Sequence, residues 1–213
     1  GKIDGINVTI PFKKSVIPFL NELTPLAKEA QSVNTIYKKD GKVVGDNTDV
    51  DGFGYALKYI NYSVQGKKIF ILGAGGVVSS IILALKKARA SEIILSNRTK
   101  EKAENLKTIY SYLKVVDWGD VPDFNMIINA TSLGLKEDEE IKLNYADIGA
   151  NKLFYDIIYN PSETKFLSKA KQFGNQIENG KMMFAYQAQL AFEIWHGIKP
   201  IVDKKTLKLL DND

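Results

Sequence analysis

Between residues 63 and 180 the apolar positions come in short solid runs separated by stretches of helical spacing; before residue 63 they do not. Lys68-Ile69-Phe70-Ile71-Leu72, Glu92-Ile93-Ile94-Leu95-Ser96, Lys114-Val115-Val116, Asn125-Met126-Ile127-Ile128-Asn129 and residues 153–157 are such runs. They read as strands buried on both faces. Helical spacing predicts helices over 77–89, 100–113 and 163–173, the last stopped by Gly174-Asn175. Strand and helix alternate, so residues 63–180 are expected to form a Rossmann-like, doubly wound parallel sheet.

The earlier part has a different texture. Residues 3–10 read as a strand in which Asn7 and Thr9 interrupt the apolar positions, Pro11 ends the ladder and Lys13 follows. Residues 14–31 read as a helix followed by an irregular turn through Leu23-Thr24-Pro25. Residues 33–37 and 42–44 are short strands joined at Lys39-Asp40-Gly41, a hairpin signal. A polar turn, residues 45–49, leads into a helix over 51–60 with Phe53, Ala56, Leu57 and Ile60 on one side. Residues 136–140 are a charged loop, and from Gly180 a long helix runs to Trp195. The expected organisation is two α/β domains: residues 1–62 with 181–213, and residues 63–180.

Composition narrows the chemistry. The chain has 213 residues, 45% hydrophobic and 25% charged, as in ordinary globular proteins. No apolar run approaches the roughly 20 residues that span a bilayer, so no membrane partner is expected. There is no cysteine, which excludes disulfides and thiol catalysis and fits a reducing cytoplasm. One histidine without cysteine argues against a metal site. The net charge of +4 comes from lysines scattered among acids, not from a basic patch interleaved with aromatics, so nucleic acid is not expected either. Only Arg89 and Arg98 among the 29 basic residues are arginines, which marks those two places for guanidinium geometry.

Gly73-Ala74-Gly75-Gly76-Val77-Val78 lies between a predicted strand and a predicted helix. Gly73 permits a tight turn, Gly75 lets backbone approach a pyrophosphate, and the helix start offers free amides and a positive dipole end. The third position of that fingerprint, Val78, is neither glycine nor alanine. At the end of the next strand, NAD sites place an acid for the ribose 2′-hydroxyl. Here stands Ser96-Asn97-Arg98-Thr99, with Lys100 and Lys102 following. A guanidinium binds a 2′-phosphate through paired hydrogen bonds, so the cofactor reads as NADP. Arg89 sits near a helix C-terminus, where positive charge favours the dipole. Lys13 and Asp49 are the best acid–base pair: hydride transfer between carbonyl and alcohol needs a proton donor or acceptor at oxygen. His196, beside Gly197, reads as a helix-end residue.

Together these segments resemble the shikimate dehydrogenase family. Gly5 to Lys13 is similar to its G-x-N-V-T-x-P-x-K segment, Ser32-Val33-Asn34-Thr35 to its A-V-N-T strand, and Gly45 to Gly52 to G-x-N-T-D-x-x-G. Gly73 to Val77 and Asn97-Arg98-Thr99 resemble its cofactor loop and N-R-T motif. Asn129 to Gly134, Tyr155 to Thr164, and Gly180 through Gln187 to Gly197 resemble the remaining motifs. The resemblance implies NADP-linked interconversion of 3-dehydroshikimate and shikimate, with Lys13 and Asp49 as the catalytic pair. It implies substrate binding by Thr9, Asn34, Asp49, Tyr159 and Gln187. It implies cofactor binding by Gly73, Ala74, Gly75, Gly76, Val77, Asn97, Arg98, Thr99, Lys102, Ile157 and Gly180. Lys102 stands where relatives often carry a second arginine, and Val77 and Val78 replace small residues.

The family's opening strand–helix–strand segment, with its Ser-x-Ser loop for the substrate carboxylate, has no counterpart in these residues. The resemblance then implies a first-domain sheet with an open edge and exposed apolar surface. A cytoplasmic enzyme, monomer or homodimer, is the expected reading. A quinate/shikimate paralogue and an inactive NADP-binding fragment are the alternatives.

Overall fold

The structure, a computed structural model, describes residues 3–136 and 138–210. Glu137 of the expected charged loop, and positions 1, 2 and 211–213 of the expected first domain, lie outside the described residues. In chain order the elements are β1 (Gly5–Asn7), β2 (Glu22–Leu23), α1 (Pro25–Ala30), β3 (Thr35–Lys39), β4 (Lys42–Asp46), α2 (Asp49–Tyr59), β5 (Lys68–Leu72) and α3 (Val78–Lys87). There follow β6 (Glu92–Ser96), α4 (Lys100–Ile109), β7 (Lys114–Val116), β8 (Met126–Asn129), α5 (Tyr145–Ile148) and β9 (Leu153–Asp156). The chain ends with α6 (Lys165–Gln172), β10 (Gln176–Glu178), α7 (Lys181–His196) and α8 (Lys204–Lys208). Two compact units result: one takes the chain up to Tyr62, Gly76–Ala84 and everything from Met182 on; the other takes Ser63–Gly75 and Leu85–Lys181.

The second unit carries a six-stranded, wholly parallel sheet in the order β10-β9-β8-β5-β6-β7. The solid apolar runs form its middle: Ile69, Phe70, Ile71, Leu95, Ile127, Ile128 and Phe154 are fully buried, or nearly so. Chain order reverses between β5 and β8, the place where doubly wound sheets open a crevice at their carboxyl ends. The edge strand β10 was not expected. Three residues between the Gly174 stop and Gly180 are too short to show a period; β10 pairs with β9, and its Ile177 packs against the core.

The first unit contains a four-stranded sheet, β1-β3-β4-β2, with β2 parallel to β4 and the other pairs antiparallel. The expected strand over 3–10 pairs only over Gly5–Asn7; beyond it the Val8 amide still reaches Asn34 O at 2.8 Å, and the chain turns at Thr9–Phe12. The expected helix over 14–31 does not form as one piece. Pro18 and Pro25 each remove an amide donor, so a 3-10 turn covers Ile17–Phe19, Glu22–Leu23 joins the sheet, and α1 starts afresh at Pro25 under a Thr24 cap. β1 is an edge strand, and Ile3, Ile6, Ile10 and Phe12 are exposed along this stretch.

Two glycines seat α7 in the first unit. A Cβ added to Gly5 would lie 2.2 Å from Trp195 Nε1, and one added to Gly52 would lie 2.9 Å from the Gln187 amide nitrogen. Trp195 Nε1 donates to Ile36 O at 3.0 Å, so the indole ties the end of α7 to β3 while Gln187 comes down on α2. His196 closes α7 and stacks on Phe192, with ring centroids 4.2 Å apart, and Gly197 takes φ +67° just beyond it. Among the described residues no helix is long and apolar enough to cross a membrane, and no cluster of His, Cys, Asp and Glu could hold a metal ion.

Candidate active site

The first unit gathers polar side chains where an ordinary domain would bury apolar ones. Lys13 follows the β1 turn, and its backbone is fixed by Val33 N donating to Lys13 O at 2.8 Å. Its Nζ lies 2.6 Å from Asp49 Oδ2, with side chains only 12% and 6% exposed. Asp49 is the first residue of α2, where a carboxylate is favoured by the helix dipole. Its other oxygen accepts from Asn34 Nδ2 at 3.0 Å. Asn34 Nδ2 also approaches Thr48 Oγ1 at 2.9 Å and Gln187 Oε1 at 3.3 Å, and Asn34 Oδ1 accepts from the Thr48 amide at 2.8 Å. Lys13, Asn34, Asp49 and Gln187, spread over 174 positions of sequence, thus meet in one network. Thr9 is exposed nearby in sequence, and its carbonyl accepts from the Phe12 amide.

Beneath that network lies a set of buried side chains to which the sequence reading assigned no role. Asn47 Oδ1 accepts from the Asp49 and Val50 amides at 3.1 and 3.3 Å and so caps α2 from two positions before its first residue. Asn47 Nδ2 donates to Ser32 O at 2.9 Å and to Ser80 Oγ at 3.0 Å. The signal was legible as an Asn just ahead of a helix start, a favoured capping type.

The second unit holds the glycine turn and the residues after β6. Gly73 follows β5 with φ +112°, and its amide donates to Ser96 O at 2.8 Å, which sets the turn beside the end of β6. A Cβ there would lie 2.6 Å from Ala130 O, so only glycine fits. Gly75 is different: an added Cβ would meet nothing nearer than Ala130 O at 3.9 Å. After β6, Asn97 Nδ2 donates to Thr99 O at 2.7 Å. Lys100 is occupied by Asp117 at 2.7 Å, while Arg98 and Lys102 are exposed and have no ion-pair partner among the described residues. Of the three cations after β6, two are thus without an ion pair among the described residues and one is committed to Asp117.

Ile157, Tyr159 and Gly180 also belong to the second unit. Ile157 N donates to Asn129 O at 3.0 Å, and a Cβ on Gly180 would lie 2.0 Å from Ile157 O, so backbone passes backbone there. Behind this turn Asp156 is fully buried; it accepts from Thr164 Oγ1 at 2.7 Å and from Asn129 Nδ2 and the Ile158 amide at 3.0 Å each. Burial pushes its carboxyl up to about 6, against hydrogen bonds that favour the charged form.

The glycine turn fits a dinucleotide on its own geometry. Gly75 leaves open the space a side chain would fill, α3 begins three residues later, and among the described residues no side chain accepts from the amides of Gly76, Val77 and Val78. Those amides and that opening are what a pyrophosphate requires.

A family model described as the shikimate dehydrogenase substrate binding domain matches residues 1–36, and one described as shikimate / quinate 5-dehydrogenase matches residues 55–138. A shikimate dehydrogenase (NADP(+)) of Pelagibacter ubique is 58% identical over 210 residues, 99% of this chain and 79% of its own length. The crystal structure of shikimate dehydrogenase from Aquifex aeolicus superposes with a TM-score of 0.88 at 40% identity, covering 100% of this chain and 78% of that one. That of shikimate 5-dehydrogenase from Thermus thermophilus in complex with NADP(H) and shikimate gives 0.87 at 30% identity, covering 98% and 78%.

Proposed function

The chain belongs to the shikimate dehydrogenase family, and we propose that Lys13 and Asp49 are the acid–base pair of its reaction. That reaction is the reversible, NADP-linked interconversion of 3-dehydroshikimate and shikimate in aromatic amino acid biosynthesis. The observation that carries the assignment is the 2.6 Å Lys13–Asp49 contact, nearly buried and joined through Asn34 to Gln187.

NADPH, when bound, supplies the hydride to the carbonyl carbon, and NADP+ takes it back in the reverse direction. In reduction the carbonyl oxygen needs a proton, and Lys13 Nζ delivers it; in oxidation the same nitrogen receives it. Asp49 holds the ammonium in place with one oxygen and is itself held by Asn34 through the other. Asn34, Gln187, Thr9 and Tyr159 present amide and hydroxyl groups suited to ring hydroxyls. The Gly73–Val77 backbone binds the pyrophosphate, and Arg98 with Lys102, supported by Asn97 and Thr99, takes the 2′-phosphate. Ile157 and Gly180 line the nicotinamide end. We assign the enzyme to the cytoplasm on the strength of its biosynthetic reaction.

The test follows NADPH absorbance with the purified chain, shikimate and NADP+, with quinate as the competing substrate. Lys13→Ala should lower kcat by about 10²- to 10⁴-fold, measured on protein that remains folded at the assay temperature. Unchanged turnover would remove Lys13 from its role.

A further inference from the structure

Gly76–Ala84, the first turns of α3 with the last glycine of the dinucleotide turn, pack in the same compact unit as Lys13 and Asp49. What joins them there is a polar knot. Asn47 is 1% exposed, Ser80 and Ser32 are 0% exposed, and all three are amide or hydroxyl side chains in a place that apolar groups could fill. Ser80 sits in the first turn of α3, and its hydroxyl meets both ends of the Asn47 amide: Nδ2 donates to it at 3.0 Å and Oδ1 lies 3.2 Å away to accept its proton. Ser32 Oγ donates to Gly76 O at 3.3 Å, and Ser32 O takes the other Asn47 amide hydrogen at 2.9 Å. Asn47 then caps α2 through the amides of Asp49 and Val50. Ser32 lies two positions before Asn34, the residue that holds the other oxygen of Asp49. Gly76 also faces the reactive lysine: a Cβ added there would lie 3.8 Å from Lys13 Cδ.

The backbone of Asp49 is therefore anchored to the first turn of α3 through two hydrogen bonds, Asp49 N to Asn47 Oδ1 and Asn47 to Ser80 Oγ. A buried, fully paired amide holds its neighbours in one register, because a shift of either helix start leaves a polar group unpaired. We propose that Asn47 and Ser80 are positioning residues that couple occupation of the α3 N-terminus by a dinucleotide to the setting of Asp49 and Lys13, so that cofactor and hydroxy-acid substrate tighten each other's binding. The proposal rests on the dinucleotide and acid–base readings given under Proposed function. Because binding linkage is reciprocal, shikimate must tighten NADPH by the same factor as NADPH tightens shikimate.

The experiment is titration calorimetry of the full chain with NADPH, alone and in saturating shikimate, a pair that cannot react because both partners are reduced, on the unmodified protein and on Ser80→Ala, Ser80→Thr, Ser32→Ala and Ser79→Ala. The unmodified chain is expected to bind NADPH about 5- to 150-fold more tightly when shikimate is present, the usual range of such coupling. Ser80→Ala should bring that factor close to 1 while the affinity for NADPH alone changes by less than about threefold. Ser80→Thr keeps the hydroxyl and should keep most of the linkage. Ser79→Ala removes a hydroxyl that is just as buried but not bonded to Asn47, and should leave the linkage whole. Should Ser80→Ala fail to fold, Ser32→Ala carries the test, since it removes only the bond to Gly76 O and should give a partial loss. Linkage that survives Ser80→Ala, or Ser32→Ala in its place, overturns this proposal alone. An unmodified chain that binds shikimate, titrated by itself, but not NADPH overturns the dinucleotide reading and this proposal with it.

Discussion

Two strand-to-helix turns in this molecule begin with the same material, the unpaired amides of a helix start, and dispose of it in opposite ways. Between β4 and α2 a side chain takes the amides: Asn47 Oδ1 accepts from Asp49 N and Val50 N, and the turn is closed. Between β5 and α3 there is Gly73-Ala74-Gly75-Gly76 followed by two valines, with no polar side-chain atom to close it. The first turn spends its amides on structure, so that the side chains of Asp49 and Lys13 can do chemistry. The second keeps its backbone open for an anion. Removing the capping side chain should therefore act on folding at the first turn, and narrowing the opening at Gly75 should act on ligand affinity at the second. The sharpest way to break the contrast is Asn47→Ala. It strips acceptors from two helix amides and a donor from Ser32 O, all buried, and should cost about 3 kcal/mol. Urea unfolding reads this as a lower midpoint at constant slope. A cost below about 1 kcal/mol would mean the α2 amides find another partner, and the contrast between the turns would lapse.

Buried carboxylates divide the units in the same way. Asp49 faces an ammonium at 2.6 Å; Asp156 has only neutral donors around it, and its carboxyl stands at about 6 against an ordinary 3.8. The folded state thus binds the Asp156 proton more tightly than the unfolded chain does. Its contribution to stability is fully present below 3.8 and is lost as pH rises through about 6. Roughly 2–3 kcal/mol is at stake across that window. Unfolding free energies measured from pH 4 to 7 should carry this downward component, and Asp156→Asn should flatten it. An identical pH profile in the variant would place the titration elsewhere.

The parallel sheet was legible because burial on both faces writes itself as solid apolar runs, and each of β5, β6, β8 and β9 falls on one. The glycine turn and Arg98 were legible because their chemistry is local in sequence. Lys13 and Asp49 could be named as candidates, but the bond between them could not, since the segments that join them are 36 positions apart. The region over 14–31 was misread because its apolar spacing suits a helix while Pro18 and Pro25 forbid one continuous ladder, and tertiary pairing of Glu22–Leu23 with β4 took the remainder. The Asn47–Ser80–Ser32 knot left no trace beyond a capping signal, because small polar residues are common on surfaces and only burial makes these three unusual.

The cofactor side offers a smaller and more selective test. Arg98 is exposed and makes no ion pair among the described residues, so its removal should leave folding alone. Loss of charge-assisted hydrogen bonds to a phosphate is worth about 2 kcal/mol, or about 30-fold in affinity. Arg98→Ala should raise the KM for NADPH by that factor and move the KM for NADH by less than about threefold. Equal losses for both would show that the side chain does not read the 2′-phosphate, and would leave the second turn as an anion site without the selectivity claimed for it.

The smallest expected effect separates the two turns most cleanly. At Gly73 an added methyl would meet Ala130 O at 2.6 Å on a backbone with φ +112°, so Gly73→Ala strains the fold whatever binds there. Two residues on, the same methyl would meet Ala130 O at an ordinary 3.9 Å, and Gly75 is not among the glycines with positive φ. Gly75→Ala should thus leave stability within about 0.5 kcal/mol of the unmodified chain. The methyl nonetheless projects into the opening through which a pyrophosphate would approach the backbone. NADP+ affinity should fall about tenfold, close to 1.4 kcal/mol, while the affinity for shikimate alone stays as it was. A folding defect with intact affinity would make Gly75 a structural glycine like Gly73, and the second turn would then resemble the first, with its glycines serving the fold instead of the ligand.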